Sequence, residues 1–232
     1  MMNHNSFTAE QIRVEQASFM AKVYGWMCAA LVVTAATSLL VASSPGLVNM
    51  IFGNRLVFWA LIIGEVLLVG YISSVISRIS ASTATMLFLL YAVLNGVTLA
   101  AIFLLFTSSS IASTFFITAG TFGGMSVYGY FTKKDLTSIG NLALMAMLGL
   151  FLASIVNLFW QNETLYWIST YAGVLIFVAL VAYDTQKIKE MNIIGNEGTE
   201  EDHKEAIMGA LKLYLDFINL FLFLLRIFGR RK

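Results

Sequence analysis

Seven stretches of about twenty mostly apolar residues succeed one another along this chain, and each is long enough to cross a bilayer as a helix. Only 12% of the 232 residues are charged, whereas a soluble domain has about a quarter. A transmembrane barrel would show alternating segments of about ten residues instead. The sequence therefore predicts an all-α membrane protein with seven spans: Val23–Ala42, Leu56–Ile76, Ala84–Phe106, Ile111–Phe131, Leu142–Trp160, Leu165–Ala182 and Ala206–Leu225.

The chain divides into a polar or amphipathic N-terminal segment, residues 1–21, and a seven-helix transmembrane domain, residues 22–232. Thr8 followed by Gln11 is a capping-box pattern, and Ile12, Phe19 and Val23 recur on one helical face. This pattern predicts a short helix lying at the membrane surface and leading into the first span. The longest inner connection, Thr185 to Glu205, is acidic, which predicts a solvated loop, with a weak cation-collecting mouth as the alternative.

The distribution of basic residues predicts a cytoplasmic N-terminus, because Lys and Arg concentrate on the cytoplasmic side. The outer loops contain only Arg55, and the C-terminal "RIFGRRK" opposes the rule if the last segment crosses fully. Either the early spans dominate, or the last segment re-enters and returns; full crossing is the favoured expectation. The predicted inner side holds Arg13, Lys22, Arg78, Lys133, Lys134, Lys187, Lys189 and Lys204.

Three acidic residues lie within or at the edge of the predicted spans: Glu65, Asp184 and Asp216. Ionisable groups at such depths usually face the bundle interior and mark an ion or proton path. Asp216 is the eleventh residue of its span, which places it about 15 Å deep at 1.5 Å per residue. If Asp184 and Asp216 meet, they would share a proton and titrate as a unit, which predicts a pH sensor.

Each acid also has a purely structural explanation. Lys187 lies three residues after Asp184, and Lys212 lies four before Asp216, so both can pair along one helix face. Glu65 has an interior polar candidate partner in Asn95. Asn219 shares a helix face with Asp216 and is a candidate for the same polar lining.

Glycines and other motifs add packing signals rather than chemistry. Gly120 and Gly124 have the small-xxx-small spacing that predicts close helix packing. The sequence has no phosphate-binding loop, metal-ligand cluster or catalytic triad.

Several long motifs follow one another along the chain: "IIGEVLLVGYISSVISR", "YAVLNGVTLA", "TAGTFGGMSVYGYFTKKDL", "VAYDTQKI" and "GALKLYLDFINLFLFLLRIFG". Together they resemble the Bax inhibitor-1 family, also called the transmembrane Bax inhibitor motif family, from about residue 20 to residue 228. This resemblance implies a seven-helix bundle with the last helix central. It also implies a bacterial inner (plasma) membrane protein that acts as a pH-sensitive calcium leak channel.

The resemblance also implies roles for individual residues. The family's aspartate pair falls on Asp184, in "YDT", and on Asp216, in "LDFINLF", and its acidic pore residue falls on Glu65, in "GEV". Calcium would be the permeant ion, transiently bound by Glu65 and Asp216, with no cofactor. Repulsion between the ionised aspartates would favour their separation. Arg78 is a candidate latch that would reverse this direction of gating.

Two alternatives remain at this stage. The protein is a candidate membrane interaction protein that modulates a membrane-bound protease, with residues 1–21 as the contact. More remotely, two aspartates on consecutive spans are similar to those of presenilin-type aspartyl proteases. The Gly-x-Gly-Asp motif of that family is "YLD" here, and the only proline is Pro45. We therefore expect no enzymatic activity. The expected partners are membrane lipid, calcium ions and a membrane protein, and no nucleic-acid partner is expected.

Overall fold

Residues 7–232 form a bundle of helices in this computed structural model. No extended strand occurs in that part of the chain; one isolated β-bridge joins Phe106 to Arg231. The helices are α1 (Ala9–Ser43), α2 (Pro45–Phe52), α3 (Arg55–Val75), α4 (Ala81–Leu105), α5 (Ser108–Phe131), α6 (Thr137–Trp160), α7 (Glu163–Met191) and α8 (Glu200–Phe228).

Local sequence explains where most of these helices begin. Thr8 and Gln11 form the predicted capping box at the start of α1, with the Gln11 N–H 3.2 Å from Thr8 Oγ1. Ser80, Asn162 and Thr199 cap α4, α7 and α8 by accepting a backbone N–H. Pro45 opens α2, where its missing N–H costs nothing, and thereby ends α1. The short helix α2 was not among the predicted elements.

The first helix is longer than its apolar run. α1 has 35 residues, or about 50 Å at 1.5 Å per residue, and no break separates its polar start from its apolar part. Phe19 and Val23 are buried, as expected for the inward face. The predicted boundary between residues 21 and 22 thus falls inside one helix, and residues 1–6 of the predicted segment lie outside the described part of the chain.

The connection between α7 and α8 is shorter than predicted, and it is packed rather than simply solvated. α7 continues to Met191 and α8 begins at Glu200, which leaves residues 192–199 between them. The Gly195 N–H donates to Glu15 Oε1 at 2.7 Å, and Ser18 Oγ donates to Glu197 at 2.6 Å. The first turns of α1 therefore hold this loop against the bundle. We call these contacts the α1–loop clamp.

The last helix is the most buried. In α8, 72% of the most apolar window is buried, against at most 39% in the other apolar helices. It packs against α1, α4, α5 and α7. Tyr214, Leu213 and Leu220 are fully covered.

Both ends of α8 are attached to other parts of the bundle. Near its start, Asp202 is 1% exposed and accepts a hydrogen bond from Lys22 Nζ at 2.7 Å. Past its end, the Arg230 carbonyl accepts from the Thr107 N–H at 2.9 Å, and the Lys232 N–H donates to the Leu105 carbonyl at 3.0 Å. The start of α8 also lies beside the start of α4, where Glu200 accepts from the Ala81 N–H. α8 therefore runs the full length of α4.

Close helix contacts occur at glycines other than those predicted. A Cβ on Gly96 of α4 would lie 2.7 Å from the Thr34 carbonyl of α1, and one on Gly173 of α7 would lie 2.6 Å from the Phe223 ring of α8. Gly120 and Gly124 have nothing within 4 Å of such a Cβ. The predicted packing role of those two glycines is wrong, because they face away from neighbouring helices.

Six helices of the described residues are long and apolar enough to cross a membrane: α1, α3, α4, α6, α7 and α8. Of the seven predicted spans, only α5 is not among them. It has 24 residues but carries buried hydroxyl groups, including Ser110, Thr114 and Thr118. The all-α prediction is confirmed for the described residues, and the six long apolar helices fit a multi-pass membrane protein.

Candidate functional site

Asp184 of α7 and Asp216 of α8 come together inside the bundle. Their carboxyl groups lie close enough to interact with each other, and Asp184 is half-buried. Asp216 is 5% exposed, and its Oδ2 has no hydrogen-bond partner among the described residues. We call these two residues the aspartate pair.

Small residues on both sides of the pair let α7 and α8 approach. On one side, Gly173 lies against the Phe223 ring, and on the other, a Cβ on Gly209 would lie 2.9 Å from the Ile188 side chain. The pair therefore sits in a closely packed stretch of the α7–α8 interface.

A contact between two carboxyl groups needs a proton. An ionised carboxylate only accepts hydrogen bonds, whereas a protonated one also donates. When both groups are ionised, the contact has no donor and the like charges repel. A hydrogen bond between the two aspartates therefore requires that one of them is protonated.

The cation near the pair is Lys212, rather than the Lys187 considered for Asp184. Lys212, one turn before Asp216, is close enough to interact electrostatically with both carboxyl groups. Among residues 7–232, no ion pair within 4.0 Å joins it to either aspartate. Lys187 instead binds Glu190 at 2.8 Å, so its predicted pairing with Asp184 is wrong.

Asn219 also uses its side chain elsewhere. Its Nδ2 donates to the Leu215 carbonyl of its own helix at 2.8 Å. The described contacts of this amide therefore satisfy the backbone of α8 rather than the carboxyl group of Asp216.

Glu65 of α3 belongs to a second polar cluster, which it forms with side chains of α4. Thr98 Oγ1 donates to Glu65 Oε1 at 2.9 Å, and Asn95 Nδ2 lies 3.4 Å from Glu65 Oε2. The Asn95 contact is the one predicted. Asn95 is 8% exposed, and its Oδ1 has no partner among the described residues.

Two tyrosines continue this cluster toward α8. The Tyr91 and Tyr214 rings meet edge to face with centroids 5.9 Å apart. The Tyr214 hydroxyl lies 2.7 Å from Thr34 Oγ1 of α1. The second cluster thus joins α1, α3, α4 and α8.

The two clusters lie against different sides of α8. Tyr214 and Asp216 are two residues apart, a rotation of about 200° on a helix with 3.6 residues per turn. No hydrogen bond or ion pair of residues 7–232 joins Glu65 to either aspartate. The structure therefore brings two of the three predicted acids together and leaves the third on the opposite side of α8.

Arg78 lies in the turn between α3 and α4. It is exposed and makes no ion pair within the described part of the chain. Its predicted role as a latch on the aspartate pair receives no contact in this conformation.

The acids do not form a resident metal centre. Over residues 7–232, no group of three or more His, Cys, Asp or Glu side chains is arranged to hold a metal ion. Calcium binding by Glu65 and Asp216 thus stays a prediction about a passing ion.

Sequence reasoning missed the partners of Glu65 beyond Asn95. Tyr91, Asn95 and Thr98 follow each other at spacings of four and three residues, which marks one face of α4. That polar stripe opposite an intramembrane acid was the available signal. The α1–loop clamp left no comparable signal, because Glu15 and Gly195 are 180 residues apart.

Comparison with known proteins places these features in a family. The family described as "Inhibitor of apoptosis-promoting Bax1" matches residues 16–232. The inner membrane protein YbhL of Escherichia coli (strain K12) is 50% identical over 223 residues, covering 96% of this chain and 95% of YbhL.

Other relatives also cover more than nine-tenths of the chain. An uncharacterized protein of Borreliella burgdorferi is 45% identical over 214 residues, or 92% of either chain. An uncharacterized membrane protein of Streptococcus pyogenes serotype M3 is 32% identical over 232 residues, or 99% of either chain.

Proposed function

This chain belongs to the Bax inhibitor-1 family, and we propose that it is a pH-sensitive calcium leak channel gated by the aspartate pair. The observation that carries the proposal is the close approach of the half-buried Asp184 to the buried Asp216 between α7 and α8. Intramembrane carboxyl groups are costly and usually mark an ion or proton path.

The proposed topology has seven crossings with the N-terminus in the cytoplasm of a bacterial cell and α8 at the centre. Two observations support α5 as a crossing helix. Its start follows the end of α4, and its last turn lies beside the end of α7, where Lys189 Nζ donates to the Tyr130 carbonyl. The basic residues gathered at this end favour it as the cytoplasmic side.

The proposed gate uses the protonation of the pair. One shared proton supplies the hydrogen bond that keeps α7 against α8, and loss of that proton leaves two like charges in contact. The charge of Lys212 biases the same equilibrium. Conduction therefore depends on pH, with the pair titrating as a unit.

Calcium is the proposed ion because it prefers oxygen ligands, and carboxylates supply them. Passage also requires that no site bind it too tightly. The separation of Glu65 from the pair fits weak, successive sites better than a single closed cage. The proposal assigns no catalytic reaction to the aspartates.

The test is calcium flux into liposomes that contain the purified protein, measured from acidic to alkaline pH. Wild type is compared with Asp184→Asn, Asp216→Asn and the double variant. Glu163→Gln is the matched control, because Glu163 is an exposed acid at the start of α7. We expect flux that varies with pH in wild type and in the control, and that loses this variation in the double variant.

Two results would contradict the proposal. An unchanged pH profile in Asp216→Asn would remove the pair as the sensor. No flux above empty liposomes at any pH, from protein shown to be folded, would remove the channel and favour the interaction role. Cleavage of a transmembrane substrate that an aspartyl-protease inhibitor blocks would instead indicate a protease.

A further inference from the structure

A groove of about 1010 Å³ runs between the first half of α1 and the second half of α5. The two helices pack against α7 and α8 but leave a space between each other. Met20, Met27 and Phe122 form its buried floor, and Ala17, Ala21 and Gly123 are small residues along its walls. Its lining includes neither residue of the aspartate pair and no residue of the Glu65 cluster, although its floor residue Phe122 packs on Phe217, next to Asp216.

Positive charge gathers at one end of this groove. Its lining includes Arg13, Lys133 and Lys189 and no carboxylate. Within residues 7–232, neither Arg13 nor Lys133 has an ion pair. Lys189 Nζ lies 4.7 Å from the centre of the Tyr130 ring and also has no acidic partner there.

The length of the groove corresponds to one leaflet of a bilayer. Arg13 and Met27 are fourteen residues apart on α1, which is about 21 Å at 1.5 Å per residue. Half of a bilayer, headgroups included, is about 20–22 Å thick. Ala119 and Lys133 are also fourteen residues apart, along and just beyond α5, so each wall changes from apolar to cationic over a similar length of chain.

We propose that this groove is a binding site for one anionic phospholipid. The headgroup phosphate binds Arg13, Lys133 and Lys189, and an acyl chain lies over Met20, Met27 and Phe122. A basic pocket between transmembrane helices at the cytoplasmic side is the arrangement that binds such headgroups. A transmembrane helix of another protein would place no negative charge opposite three cations unless it carried acids at that depth, so the lipid fits better.

The test uses the purified protein in detergent, titrated with phosphatidylglycerol or phosphatidylcholine and observed by native mass spectrometry. We expect one phosphatidylglycerol per chain, retained in preference to phosphatidylcholine. Lys133→Gln should weaken phosphatidylglycerol binding about fivefold, the effect of one cation near a lipid surface. Lys134→Gln is the matched control, because Lys134 is also exposed but does not line the groove.

A second pair of variants tests the apolar part. Gly123 lines the groove, Gly124 does not, and neither would have a neighbour within 4 Å of an added Cβ. Gly123→Leu should therefore reduce retention of the lipid, whereas Gly124→Leu should not. Thermal unfolding of each variant verifies its fold.

Several outcomes would overturn the lipid site. They are equal retention of the two lipids, equal binding by Lys133→Gln and Lys134→Gln, and inorganic phosphate competing as well as phosphatidylglycerol. A copurifying protein crosslinked in the groove in place of lipid would identify a helix-binding surface instead. None of these results depends on calcium flux.

Discussion

The α1–loop clamp gives a prediction at the level of a single amide. The Gly195 N–H donates to the Glu15 carboxylate at 2.7 Å, and Glu15 is only 9% exposed. Gly195 has a φ of +92°, a conformation that glycine adopts readily. The carboxylate thus holds the tip of the loop that joins the two helices of the aspartate pair.

Glu15→Ala removes the acceptor without changing the loop sequence. A hydrogen bond to a charged group contributes about 1.5–3 kcal/mol, and about 1.4 kcal/mol corresponds to a factor of ten. The Gly195 amide should therefore exchange with solvent deuterium roughly 10 to 150 times faster in the variant.

Hydrogen exchange measured by NMR on glycine-labelled protein in detergent tests this prediction. Gly198 is an internal reference, because its N–H donates to Asp202 at 2.9 Å and not to Glu15. Glu10→Ala is the matched control on the exposed side of α1. A change below about threefold at Gly195, or an equal acceleration at Gly198, would refute the reasoning, since either means that Glu15 does not hold the loop locally.

Two further predictions concern helix packing and a loop acid. Gly96→Leu should destabilise the protein by about 1–3 kcal/mol or more, because its side chain meets the backbone of α1; Gly124→Leu, with open space, should leave the thermal unfolding midpoint in detergent nearly unchanged. The Thr137 hydroxyl and N–H donate to Asp135 at 2.5 and 2.8 Å and hold the pKa of that exposed carboxyl below its usual value. Thr137→Ala should raise this pKa toward the usual value, so that Asp135 protonates at higher pH in an NMR titration; an unmoved midpoint would contradict the assignment.

The fold class followed from the apolar runs, but the ends of the helices did not. Hydropathy reports the part of a helix that suits lipid, whereas a helix continues as long as its backbone is capped and packed. α8 therefore begins at Glu200, six residues before its predicted span, and α1 begins at Ala9. Capping residues were the better guide to helix starts, as Thr8 shows.

Helical spacing predicts which residues share a face, but not what lies opposite that face. The spacing of Gly120 and Gly124 indicated packing, yet these glycines face away from any helix. Asp184 lies three residues before Lys187, and Glu190 lies three residues after it. Lys187 binds Glu190, the exposed acid of the two. Leaving both long side chains near water avoids the desolvation of an ion pair.

The sequence by itself did not predict that Asp184 approaches Asp216, because a loop between two helices does not require the helices to touch. The resemblance to a family raised that expectation, and the close packing at Gly173 and Gly209 accounts for it physically. The position of Glu65 relative to the pair depends on how α8 is oriented about its own axis. One sequence alone does not reveal that orientation.

The attachment of α8 at both ends has a mechanical consequence. A rod fixed at two points resists translation along its axis, and a shift of one helical turn, about 5.4 Å, would break the Lys22–Asp202 ion pair and the Thr107–Arg230 hydrogen bond together. Separation of the aspartate pair is then expected to come from displacement of α7, which begins at Glu163, or from rotation of α8 about its own axis. We therefore expect α8 to keep its position along its own axis while the pair separates.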